Sequence, residues 1–215
     1  MNYFIIDFDS TFIKDESLDM LAELSPSCND DSKREIQRIT ELGMEGIISF
    51  KDSLQKRIRL IRSNKNDINN TINYIKNRVT NSVKSNKKKF IKNSERVFIV
   101  SSGFHEIIDP IAIEYGIKKE NIFANNFVFN KEEKIIGFDN SNPLSSSLGK
   151  VKTVKNLQID GKINVIGDGY TDYQIKKEGY ADKFYLFIEN IKRESLVKNA
   201  DYLLKSFDQI FDIIK

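Results

Sequence analysis

The chain has 215 residues, of which 40% are hydrophobic and 30% charged. That is enough for one large soluble-type domain or one domain carrying an insert. Its 34 basic and 31 acidic residues leave a net charge of +3, too even to imply nucleic-acid binding, and no apolar run approaches the ~20 residues that span a bilayer. Cys28 is the only cysteine, which excludes an internal disulfide and fits a cytoplasmic setting. No signal peptide is expected, because the first apolar run is short and ends in acids. His105 is the only histidine, which argues against a histidine-rich zinc site. Neither a dinucleotide-binding glycine fingerprint nor a P-loop is present. The run Lys87-Lys88-Lys89 reads as a solvated helix face.

Tyr3-Phe4-Ile5-Ile6 predicts a short strand covered on both faces, since the apolar run does not alternate. Asp7 and Asp9 follow at its carboxyl end, where open parallel sheets bind their ligands. Two carboxylates one residue apart repel each other, and a hard divalent cation relieves that repulsion. A carboxylate can also attack a phosphoryl group, with its neighbour as general acid and base.

From Lys14 to about Arg78 the pattern is helical. Leu18, Leu21, Ala22 and Leu24 mark one helix, and Ile36, Ile39 and Leu42 a second that Gly43 is expected to stop. Phe50, Leu54, Ile58 and Ile61 mark a third, and Ile68, Ile72, Ile75 and Val79 a fourth. Crossovers usually carry a single helix, so this stretch reads as an all-α insert. Val97-Phe98-Ile99-Val100 predicts a second buried strand. It ends in Ser101-Ser102-Gly103-Phe104, read as a turn whose N–H groups and hydroxyl suit a phosphate. A helix through Tyr115 stops at Gly116, a strand covers Ile122 to Ala124, and a hairpin joins Phe127–Phe129 to Ile135–Phe138. After a loop from Pro143 to Ser147, Gly149-Lys150 opens a helix. Ile163 to Ile166 predicts a strand ending in Gly167-Asp168-Gly169-Tyr170-Thr171-Asp172, whose two acids can complete an oxygen site for Mg²⁺. Strands over 181–188 and 200–204 and a helix from Phe207 to Ile214 finish the chain.

Asp7-Phe8-Asp9-Ser10-Thr11, Ser101-Ser102-Gly103-Phe104, Lys150 and Gly167 to Asp172 occur in this order, each after a predicted strand or at a helix start. The set resembles the haloacid dehalogenase-like hydrolases, and within them the phosphoserine phosphatase family. The departures are Ser102, where a glycine is usual, and Tyr170, where a small residue is common. The resemblance implies an α/β fold with a Rossmann-like parallel sheet core over residues 1–13 and 79–215 and a helical-bundle cap over 14–78. It implies Asp7 as nucleophile and Asp9 as acid and base, with Mg²⁺ on Asp7, Asp168 and the backbone carbonyl of Asp9. Ser101, Ser102 and Lys150 would take the phosphate, and Asp172 would orient Lys150 or a metal-bound water. Glu16, Met44, Phe50, Arg57 and Thr171 would meet the substrate. A zwitterionic amino acid needs an anion for its ammonium and a guanidinium for its carboxylate, which Glu16 and Arg57 can supply.

The expected activity is hydrolysis of O-phosphoserine to serine and phosphate, the last step of serine biosynthesis. The alternatives are another small phosphomonoester, transfer to an alcohol such as homoserine, or a non-catalytic binding protein on this fold. Neither a nucleic acid nor a membrane is expected as a partner.

Overall fold

The computed structural model describes residues 1–213 and contains a six-stranded sheet of order β3-β2-β1-β6-β7-β8. In chain order, β1 (Asn2–Ile6) leads into a helical insert of α1 (Ser17–Leu24), α2 (Asp30–Met44), α3 (Phe50–Leu60) and α4 (Lys65–Lys76). The short helices α5 (Asn81–Ser85) and α6 (Lys87–Lys92) then return the chain to β2 (Val97–Phe104) and α7 (His105–Ala112). Next come β3 (Ile122–Asn125) and a hairpin of β4 (Phe127–Phe129) and β5 (Ile135–Phe138). The remainder is α8 (Gly149–Asn156), β6 (Lys162–Gly167), α9 (Tyr170–Lys177), β7 (Lys183–Phe187), α10 (Glu194–Val197), β8 (Tyr202–Leu204) and α11 (Asp208–Ile213). The expected last helical residue, Ile214, lies outside the described residues. All five pairings in the large sheet are parallel.

The central strand explains itself from its sequence. Phe4 and Ile6 point into one core, which also holds Phe8, Phe12 and the apolar faces of the insert helices. Ile5 points into the opposite core with Val100, Val165, Phe184 and Leu186. Both faces are therefore dry, and each such side chain contributes roughly 1.5–3 kcal/mol by leaving water. The chain runs outward from β1 in both directions, so β1 and β6 meet at the point where the connections diverge. Open parallel sheets bind their ligands in the crevice at that point, beyond the carboxyl ends of the strands.

Two crossing segments connect the insert to the sheet. Ile13 bridges Val79, Lys14 N–H donates to the Arg78 carbonyl at 2.9 Å, and Thr80 N–H donates to the Phe12 carbonyl at 3.0 Å. The insert also touches the hairpin, where Ile135 N–H donates to the Ser63 carbonyl at 2.9 Å. No helix among the described residues is long and apolar enough to cross a membrane.

The structure corrects three local expectations. Helix α2 runs through Gly43 to Met44, and the chain turns instead at Gly46, whose φ of 73° is the left-handed backbone that glycine allows. Strand β2 does not end at Val100 in a turn; it continues to Phe104 with a register shift between those residues. Phe104 pairs with Asn125 and stacks on Phe127 at a centroid distance of 3.7 Å, which keeps the segment extended. The strands expected over 181–188 and 200–204 are shorter, at Lys183–Phe187 and Tyr202–Leu204.

Candidate active site

Strand β1 delivers Asp7 directly to the crevice, because Asp7 N–H still pairs with the Ile166 carbonyl at 2.9 Å. The chain then leaves the sheet in a tight turn over Phe8–Phe12, with Ser10 in the left-handed region at φ 53°. Phe8 and Phe12 stack beneath it at 5.8 Å and anchor it in the core. Asp7 Oδ1 accepts the Phe8 N–H at 2.7 Å and lies 2.7 Å from Lys150 Nζ. Lys150, on the first turn of α8, also donates to Asp172 Oδ1 at 2.8 Å. Burial disfavours an ammonium, but the Asp172 and Asp7 carboxylates outweigh it and hold the Lys150 pKa above its ordinary value. Asp168 Oδ2 accepts from Arg193 Nε at 2.9 Å, and its Oδ1 from Thr11 Oγ1 at 3.4 Å.

The donor set fits a cation. Carboxylate oxygens of Asp7, Asp168 and Asp172 all lie within 4.8 Å of one another, and all three residues are buried. Lys150 and Arg193 are the positive groups that touch them among the described residues. Asp9 and Glu16 add further acid beside the cluster, so negative charge is in surplus. Its electrostatic signature is plain. Burial, followed by the Asp7 charge, pushes the Asp9 carboxyl up to about 7. Burial, then Asp9 and Asp168, holds Glu16 well above the usual carboxylate range, and burial with Asp7 does the same to Asp172. A hard divalent ion bound through oxygen removes that penalty.

Asp9 is tied to the insert, its Oδ1 accepting the Ser17 N–H at 2.9 Å at the start of α1. Ser101 Oγ accepts the Gly103 N–H at 3.0 Å, and the Ser102 carbonyl accepts from Asn125 Nδ2 at 2.9 Å. Asp7, Asp9, Ser101, Ser102 and Lys150 form the sheet side of a cavity of about 30 Å³. Met44, Phe50 and Arg57 of the insert, with Thr171, close its other side. Arg57 is 5% exposed, and its Nε has no partner. Asp168 and Asp172 lie outside the cavity's lining, and so does Glu16, the one predicted substrate residue that does: its carboxylate accepts from Ser10 Oγ at 2.7 Å and lies 4.0 Å from Arg193.

Sequence reasoning missed Arg193, Asn125, Thr40 and Asp19. Arg193 sits on the segment after β7, where no motif marks it. It joins Asp168 to Glu41 of α2, at 2.9 and 3.0 Å. Thr40 lies on the predicted second helix, but its place on the same face as Met44 became visible only because that helix runs on through Gly43.

No protein-family model matches the chain. The chloroplastic phosphoserine phosphatase of Arabidopsis thaliana is 32% identical over 209 residues, which are 96% of this chain and 69% of that protein. The phosphoserine phosphatase of Homo sapiens is 30% identical over 207 residues, 95% of this chain and 89% of the human one. The chain belongs to the phosphoserine phosphatase family. A crystal structure of a phosphoserine phosphohydrolase-like protein from Francisella tularensis superposes with a TM-score of 0.89 at 38% identity, covering 100% of both chains. Family membership and fold agree, and the chain is a phosphatase of the haloacid dehalogenase class with the buried aspartate cluster that a metal requires.

Proposed function

We propose that this chain hydrolyses O-phosphoserine to serine and phosphate through an aspartyl-phosphate on Asp7, with Mg²⁺ as its metal. The observation that carries the substrate is Arg57: a buried guanidinium whose Nε has no partner, in the same cavity as Asp7 and Lys150. A buried donor left unpaired is costly, and a substrate carboxylate relieves that cost. The names borne by the curated relatives support the same substrate.

In this reading Asp7 attacks phosphorus in line, forming the new O–P bond as the serine oxygen leaves. Asp9 gives its proton to that oxygen, and burial of its carboxyl favours the protonated form that this step needs. In the second half-reaction Asp9 takes a proton from the water that attacks the aspartyl-phosphate. Lys150, the Ser101 hydroxyl and the Ser102 N–H neutralise the phosphoryl oxygens, the main source of rate in this chemistry. Asp172 holds Lys150 in place. Asp7, Asp168 and the backbone carbonyl of Asp9 would hold Mg²⁺, which supplies positive charge for the phosphate and for the crowded carboxylates.

A cavity of about 30 Å³ has room for roughly two waters, at ~10–15 Å³ each. It cannot take a phosphomonoester as it stands. Residues 14–78 therefore act as a cap that swings away on the two crossing segments to admit substrate and closes for the reaction. Glu16 would reach the substrate ammonium only on such a movement. Phosphate release from O-phosphoserine, measured with and without homoserine and with and without a chelator, tests the reading. Metal-dependent release that homoserine does not alter is expected; phosphohomoserine as product would make the chain a transferase.

A further inference from the structure

Arg57 is itself held, and the holding groups lie on two other helices. Arg57 on α3 donates from Nη1 to Thr40 Oγ1 on α2 at 3.2 Å. Thr40 Oγ1 lies 2.7 Å from Asp19 Oδ1 on α1, and 3.1 Å from the Ile36 carbonyl. The three side chains are 5%, 1% and 9% exposed respectively. Helices α2 and α3 approach closely enough for this because residue 43 is a glycine: a Cβ there would sit 2.9 Å from Ser53 Oγ.

We propose that Thr40 and Asp19 are positioning residues that orient Arg57 and so set the affinity of the site for the substrate carboxylate. The inference rests on the phosphoserine reading above. A hydroxyl has one hydrogen and two lone pairs. When that hydrogen is spent on Asp19, the lone pairs of Thr40 face the guanidinium and fix its Nη1 corner. The Nε of the fork stands without a partner, and the side edge to which it belongs is the one that accepts a carboxylate through two parallel bonds. The unpartnered Nε is the donor such a ligand would take. Asp19 has no other task in view. It does not line the cavity, it is buried, and Arg57 is the cation that opposes the rise its burial causes. Thr40 lines the cavity beside Arg57, and its hydroxyl bonds to Asp19, the Ile36 carbonyl and Arg57 rather than to Asp7, Ser101 or Lys150. Arrangement and charge together make the trio a carboxylate reader built before the ligand arrives, which is how pre-organised sites gain affinity.

The test uses the full chain with its metal, O-phosphoserine, and phosphoethanolamine, which keeps the ammonium and lacks the carboxylate. Thr40→Val should raise KM for phosphoserine, and the inhibition constant of L-serine, about tenfold, the scale of one hydrogen bond to a charged group. The kcat for phosphoserine and the kcat/KM for phosphoethanolamine should stay within about twofold. Thr40→Ser should restore the unmutated values. Asp19→Ala should have a smaller effect, because the threonine hydrogen can turn to the Ile36 carbonyl and still leave a lone pair for Arg57. In an Arg57→Ala background Thr40→Val should add nothing, since it acts only through Arg57. Equal losses on both substrates, or losses that add in the double variant, would overturn the assignment. If Thr40→Val does not fold by circular dichroism, Asp19→Ala decides the question by the same comparison. Arg57→Ala separates the two levels. If it lowers both substrates equally, the phosphoserine reading and the inference fall together. If it is selective and Thr40→Val is not, only the inference falls.

Discussion

At the carboxyl ends of β1 and β6, charge meets charge. Lys150 lies 2.7 Å from Asp7 and 2.8 Å from Asp172, and Arg193 lies 2.9 Å from Asp168. Across the cavity, under the insert, Arg57 meets a neutral hydroxyl and keeps one donor unpaired. The first region is closed in on itself and still carries surplus acid, so it is completed by a cation and a phosphoryl group. The second is an open hand, completed by an anion. The difference separates the parts that every phosphomonoester must use from the part that selects one, and it can be tested region by region.

The largest effect should come from the nucleophile. Asp7→Asn should retain its fold and lose turnover on every substrate, because an amide cannot form the acyl-phosphate. Residual turnover comparable to the unmutated enzyme would remove the covalent mechanism. Metal removal should be nearly as severe: activity should vanish with a chelator and return with Mg²⁺. Ca²⁺ should bind and support little turnover, because its larger, looser shell chelates Asp7 away from its attacking geometry. Competition of Ca²⁺ against Mg²⁺ in a rate assay measures this.

Lys150→Ala should cost roughly 10²–10³ in kcat whatever the leaving group, the usual toll for removing one preorganised positive group. It should also lower thermal stability, since Asp7 and Asp172 lose a buried partner; breaking such a pair costs about 3–5 kcal/mol. A loss confined to phosphoserine would place Lys150 with Arg57 on the selective side and dissolve the comparison. Arg57→Ala is the mildest. It should lower kcat/KM for phosphoserine by about ten- to a hundredfold and leave an aryl phosphate untouched, from one to two decades at 1.4 kcal/mol each. Steady-state kinetics on both substrates reads the outcome. Equal falls would make this cap arginine structural and the enzyme a broad phosphomonoesterase.

Much of the strand-end cluster was legible in the chain. Asp7, Asp9, Lys150, Asp168 and Asp172 each stand at the end of an apolar run or the start of a helix, and short apolar runs rich in β-branched and aromatic residues and bounded by turn residues suit buried strands. Parallel strands bring their carboxyl ends to one edge, so residues 161 positions apart, such as Asp7 and Asp168, meet by topology alone. Met44, Phe50 and Arg57 were readable by resemblance to the family. Glu16 was read as a substrate residue, yet it faces Ser10 and Arg193, because the turn at Ser10 carries its own hydroxyl toward the carboxylate. Ser101 and Ser102 were read as a turn and lie on a bulged strand, because the Phe104–Phe127 stack is a contact between segments that local propensity does not see.

By itself, then, the sequence determined the alternation of buried strand and helix, the all-α insert after β1, and the order in which the acids and the lysine arrive at the sheet edge. Periodicity and turn chemistry are local, and local patterns survive without coordinates. Only the tertiary structure decided who holds each of those groups. Arg193 reaches Asp168 and Glu41 from a segment with no motif, and Asn190 Nδ2 donates to Thr80 Oγ1 at 2.7 Å beside the crossing segments. Thr40 and Asp19 bring two helices to bear on Arg57. Each of these is a contact between residues far apart in the chain or on different helices. Its energy depends on distance and burial, quantities that exist only once the helices have packed.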